Sequence, residues 1–145
     1  MSLLCLDSSV LVKLVVPEPG SDVAARLLDG DSEVVSPSFA WAEVGSALRK
    51  QVRAGVLTKG DAERAWRDFL DLGVRFIDTR EIREAAWDLA GRLELLTLYD
   101  AAFLAVAKAA PGGPCPFWTA DAALAAQVRR SGAPVDVLVI GEKRG

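Results

Sequence analysis

Residues 3–17 read LLCLDSSVLVKLVVP. Leu3 to Leu6 is an apolar run of strand length, and Asp7-Ser8-Ser9 ends it. Val10 to Val16 then continues as a short helix, stopped at Pro17 because a proline ring cannot extend the hydrogen-bonded turn behind it. A strand running straight into a helix is the opening half of an α/β unit, and it leaves Asp7 at the strand's C-terminal end.

Outward from that stretch the alternation repeats. Ser21 caps a helix through Leu28, Asp29-Gly30-Asp31 turns the chain, and Val34-Val35 is the heart of a second strand. Ser36-Pro37-Ser38 opens a longer helix, about Phe39 to Arg53, which Gly55 ends. Thr58 to Leu72 reads as another helix, with Glu63 and Arg67 at i, i+4, and Val74 to Ile77 as a third strand. Thr79 caps the next helix, to about Leu95. Tyr99-Asp100 leads into Ala101 to Ala110, a nearly all-apolar helix expected to pack under the sheet. After the Pro111-Gly112-Gly113-Pro114 break come a fourth strand at Phe117-Trp118-Thr119, a helix from Ala122 to Arg130, and a last strand from Val135 to Ile140. The pattern predicts one α/β domain over residues 1–141, a central, mostly parallel sheet of about five strands flanked by helices, with 142–145 as a flexible tail.

Composition narrows the chemistry. The chain has 145 residues, 51% hydrophobic and 26% charged, enough for one core without staples. It has no histidine, which removes Ser-His-Asp and Cys-His mechanisms and every Cys/His zinc site. Cys5 and Cys115 are too few for a thiolate cage and read as small, reduced core residues of an intracellular protein. No run approaches the ~18 apolar residues of a membrane span, so the expected location is the cytoplasm. Seventeen Lys+Arg against 20 Asp+Glu give a formal charge of -3, so any contact with nucleic acid must be local.

Attention then falls on carboxylates placed where a solvated surface acid would not be. Asp7 lies where open α/β sheets bind ligands, outside the carboxyl end of a strand, although a helix N-cap explains it equally. Glu43 has Phe39, Ala40, Ser46 and Ala47 as its helical neighbours, a face on which a lone carboxylate is costly to desolvate. Asp100 precedes the apolar helix, and Asp121 follows the fourth strand; each can also be a cap. If the strands of Asp7 and Asp121 are neighbours, both acids open onto one sheet edge. Clustered carboxylates without nitrogen or sulfur donors select Mg²⁺ or Mn²⁺, which can activate water against a phosphodiester.

Four segments, CLDSSVLVK, SFAWAEVGSALRK, LYDAAFLAVA and TADAAL, resemble in order and spacing the PIN-domain ribonucleases, especially the VapC-type toxins of toxin-antitoxin pairs. The resemblance covers essentially the whole chain. It implies that Asp7, Glu43, Asp100 and Asp121 match the family's acidic metal site, that Ser9 helps to shape it, and that Thr119 supports the loop of the last acid. Ala122-Ala123 stands where related sequences often carry a further charged residue, so a fifth carboxylate is missing.

On this reading the chain is a Mg²⁺- or Mn²⁺-dependent endoribonuclease. Asp7, Asp100 and Asp121 hold the ion, Glu43 binds it or positions the attacking water, and the products carry 5′-phosphate and 3′-hydroxyl ends. Lys13, Arg49, Lys50 and Arg53 are candidate phosphate contacts, though a solvated helix face explains each of them singly. Trp41, Trp66 and Trp87 read as packing residues. The resemblance implies an RNA substrate, a cognate antitoxin and a homodimer as partners. The alternatives are a housekeeping PIN nuclease and a non-catalytic binding module on the same fold. A haloacid-dehalogenase-type phosphatase would need a second Asp where Ser9 stands, and no P-loop or GxGxxG occurs.

Overall fold

In the computed structural model, which describes residues 2–141, the chain runs β1 (Ser2–Leu6), α1 (Ser8–Lys13), α2 (Ser21–Leu27), β2 (Ser32–Pro37), α3 (Ala40–Arg53), α4 (Lys59–Asp71), β3 (Arg75–Ile77), α5 (Arg80–Leu93), α6 (Tyr99–Ala109), β4 (Phe117–Thr119), α7 (Ala122–Ser131) and β5 (Val137–Val139). The strands form one sheet in the order β3-β2-β1-β4-β5. Every pairing is parallel, so the expected mostly parallel sheet is wholly so. Cys5 lies level with Val35 of β2 on one side and Phe117 of β4 on the other. The expected tail, 142–145, lies outside the described residues.

This order decides where a site can form. From β1 the chain steps outward to β2 and β3, then returns across the sheet to lay β4 and β5 on the other side of β1. The direction of winding therefore reverses between β1 and β4, and the helices that follow the two strands diverge and leave a crevice at their carboxyl ends. Asp7 and Asp121 stand at those ends.

The core explains why α6 is nearly all apolar. Ala101, Phe103, Leu104, Ala105, Val106 and Ala107 are all buried, where the helix packs on α5 and on β1, β2 and β4. Its small alanines allow that close approach. Both cysteines are buried and unpaired, and the Cys5 thiol donates to the Phe103 carbonyl at 3.4 Å. Among the described residues no helix is long and apolar enough to cross a membrane.

Several boundaries differ from the sequence reading, each for a local reason. Ser36 and Pro37 belong to β2, pairing with Phe76 and Ile77, and Ser36 Oγ donates to the Leu6 carbonyl at 3.2 Å instead of opening a helix. α1 closes at Lys13, and a turn carries the chain on, with Val16 N–H donating to Val12 O at 2.9 Å. α6 starts at Tyr99, so Asp100 sits inside its first turn, and the N-cap is Leu98, which makes no side-chain hydrogen bond. Of the tryptophans read as packing residues, only Trp66 packs, stacked on Phe69 with ring centroids 5.5 Å apart. Trp41 and Trp87 are 51% and 71% exposed.

Candidate active site

Asp7 is nearly buried, at 8% exposure, and each of its oxygens is taken. Oδ1 accepts from Val10 N–H at 3.2 Å and from the Ser9 hydroxyl; Oδ2 accepts from the Thr119 hydroxyl. Asp7 is thus the N-cap of α1, as one of its two sequence readings has it, and its carboxylate is held in one orientation by the two hydroxyls. Burial pushes its pKa above the ordinary aspartate value, the hydroxyl and amide hydrogen bonds pull the other way, and the Asp100 charge adds to the rise.

The two hydroxyls tie Asp7 to the turn after β4. Thr119 Oγ1, fully buried, donates to Asp7 and accepts from Asp121 N–H at 3.0 Å. Ser9 Oγ donates to Asp7 and accepts from Ala120 N–H at 3.2 Å. Asp121 itself is exposed and caps α7, its Oδ1 accepting from Leu124 N–H at 3.0 Å. The role expected for Thr119, support of the last acid's loop, has its geometry in that bridge.

Glu43 comes from the first turn of α3. Ser8 Oγ donates to its Oε1 at 2.7 Å. Burial raises its pKa first, and the charges of Asp100 and Asp7 raise it further. Asp100 stands at the rim, where partial desolvation of its carboxyl and then the Asp121 charge raise its pKa as well. The acids are therefore electrostatically linked, and among the described residues no lysine or arginine is a charge partner of Asp7, Glu43 or Asp100.

Ser8 is the residue the sequence reading missed. Its signal was the serine doublet after Asp7: at a helix start, adjacent residues point about 100° apart, so Ser9 reaches Asp7 while Ser8 reaches Glu43.

An uncompensated, all-oxygen donor set fits a hard divalent cation. Among the described residues no three acids are gathered tightly enough to enclose an ion unaided.

The candidate phosphate contacts separate into two groups. Lys13 is engaged within the fold: its ammonium pairs with Glu18 at 3.2 Å and donates to the Pro19 carbonyl at 2.8 Å, which closes the loop after α1. Arg49 and Arg53 instead line a groove of about 960 Å³ between α3 and α4, together with Lys59 and Arg67. Lys50 is exposed on α3, two turns beyond Glu43.

Fold and site together define a class, the parallel α/β domains that gather carboxylates at the point where strand order reverses. Residues 4–111 match the family model described as PIN domain, and the chain belongs to that family. The matched stretch holds Asp7, Glu43 and Asp100 and stops before β4. Ribonuclease VapC49 of Mycobacterium tuberculosis (strain H37Rv) is 37% identical over 123 residues, covering 81% of this chain and 85% of that one. Ribonuclease VapC3 of Pyrobaculum aerophilum is 33% identical over 109 residues, covering 72% and 81%. The fold is shared with VapBC2 from Rickettsia felis, solved bound to a DNA fragment from its promoter, at a TM-score of 0.65 and 15% identity over 94% of this chain and 98% of that one.

Proposed function

We propose that this protein is a divalent-metal-dependent endoribonuclease and the toxin of a toxin-antitoxin pair. The observation that carries the reading is Asp7, buried at the sheet's switch point, clamped by two hydroxyls and facing the charge of Asp100, with no offsetting cation among the described residues. A structural cap has no need of such an environment. The relatives' name, ribonuclease VapC, supports the reaction, and the VapBC2 complex supports an antitoxin partner.

In this reading Asp7, Asp100 and Asp121 hold Mg²⁺ or Mn²⁺, directly or through water, and Glu43 binds it or orients the attacking water. When bound, the ion supplies a more acidic water and stabilises the leaving oxygen. Ser9 and Thr119 fix the Asp7 carboxylate. Ser8 holds Oε1 of Glu43 through its hydroxyl. Attack by water, with the ribose 2′-hydroxyl uninvolved, gives 5′-phosphate and 3′-hydroxyl ends. Arg49, Lys50 and Arg53 are the remaining candidates for phosphate contact. The protein works in the cytoplasm as a homodimer; Trp41, Leu70 and Phe76, all exposed around the α4–β3 connection, support a partner-covered surface there.

The test is cleavage of total RNA with Mg²⁺ or Mn²⁺ by the wild type beside Asp7→Asn purified identically, with chelator controls and end-group analysis. Wild-type cleavage alone, leaving 5′-phosphates, is the expected result. Equal cleavage by both proteins, or 2′,3′-cyclic ends, overturns the mechanism.

A further inference from the structure

Tyr99 is the only tyrosine in the chain, and it directly precedes Asp100. It is 58% exposed, yet its ring is held. Phe39 meets it edge-on, with centroids 5.3 Å apart and planes at 86°, and Phe39 in turn meets Phe103 at 5.8 Å and 88°. Phe103 is buried in the core of the domain. A column of aromatic rings thus runs from the core to the surface and ends in an exposed ring of fixed orientation.

Its position matters. Phe39 is the N-cap of α3, four residues before Glu43, while Tyr99 opens α6, one residue before Asp100. The exposed ring therefore stands over the seam between the two helix starts that carry these acids. A phosphate-bearing strand is repelled by this acidic crevice, and the free cations Arg49 and Arg53 belong to the separate α3–α4 groove. Among the described residues the rim offers here an exposed aromatic ring, and a nucleobase stacks on an aromatic face whatever its identity. Tyrosine gives that contact at small entropic cost because its ring is already pinned.

We propose that Tyr99 is a base-stacking platform that seats a nucleotide flanking the scissile phosphate of single-stranded RNA. The proposal rests on the ribonuclease reading and adds to it a substrate-binding residue. A lone tyrosine also makes the test direct, since 3-fluorotyrosine incorporation gives the full-length protein a single fluorine resonance.

In the Asp7→Asn background, with Mg²⁺ and a short single-stranded RNA spanning the mapped cut, that resonance should shift saturably. In cleavage assays Tyr99→Leu should raise KM roughly 5- to 100-fold, with much less change in kcat and an unchanged melting temperature. Tyr99→Phe and Tyr99→Trp should restore KM. A resonance unmoved by RNA that demonstrably binds overturns the proposal. So does a leucine variant equal to the phenylalanine one, or a loss confined to kcat. A resonance that moves with a protein partner and not with RNA overturns it too and reassigns the ring to that interface. If the wild type neither binds nor cuts RNA, the ribonuclease reading has failed, and that arm registers it separately.

Discussion

Thr119 Oγ1 does two things with one atom: it donates to Asp7 and accepts from the Asp121 amide. Thr119→Val keeps the shape and removes both bonds, leaving Asp7 desolvated with one hydroxyl fewer. Loss of such an outer partner typically lowers metal affinity or activity by about 10–100-fold, and we expect a drop of that order in RNA cleavage together with a lower melting temperature, since a buried carboxylate oxygen loses its partner. The acids also set a pH dependence. Asp7, Glu43 and Asp100 have raised pKa values in the folded protein, so the native state keeps protons that the unfolded chain has already lost. In metal-free protein their contribution to stability therefore falls as pH rises from the ordinary carboxylate range through the raised values. Asp78, pulled down by Arg83, contributes with the opposite sign. Comparing melting curves of wild type and Asp7→Asn across that window isolates the site: the variant should lose less stability with rising pH.

Among the elements, α3 and α4 meet where Gly45 faces Trp66, and a Cβ there would lie 3.1 Å from the ring. Gly45→Val puts two further carbons into that contact and should destabilise the fold by roughly 1–3 kcal/mol, read by denaturant unfolding. The sequence disclosed the order of strands and helices because each apolar run and each cap is a local signal; Thr58, Thr79 and Asp121 all cap the helices they were expected to start or precede. It could not disclose the end of β2, since Ser36-Pro37 looks like a helix opening until the pairing with β3 is known. Nor could it settle Trp41 and Trp87, whose helical spacing is compatible with either face. Of the candidate site, the four acids were legible as acids at strand ends and helix starts, and the structure links them electrostatically. The Ser8–Glu43 bond was not, because it joins residues 35 apart. Nor was the Lys13–Glu18 pair, which closes a loop whose path no periodicity gives.

At the scale of the whole molecule, an excess of like charge in one crevice should couple the proposed metal to folding. A cation that binds only the native state at a hundred times its Kd stabilises by about 2.7 kcal/mol, which for a domain of this size is roughly 5–10 °C in Tm. Mn²⁺ should produce such a rise in the wild type, chelator should reverse it, and Asp7→Asn should show little of it. Burial of Cys5 and Cys115 raises both thiol pKa values, so a water-soluble thiol reagent should label neither until the protein unfolds. The sheet carries one further consequence, for the order in which a ribosome makes the chain. β1 is synthesised early but acquires its β4 neighbour only after α6 has been made, and Thr119, the clamp on Asp7, arrives with β4. Until then Asp7 has neither its buried hydroxyl partner nor Asp121 beside it. In the proposed mechanism a chain that stops short of β4 lacks these groups, and fragments ending before Phe117 should cut no RNA in a translation extract that the full chain degrades.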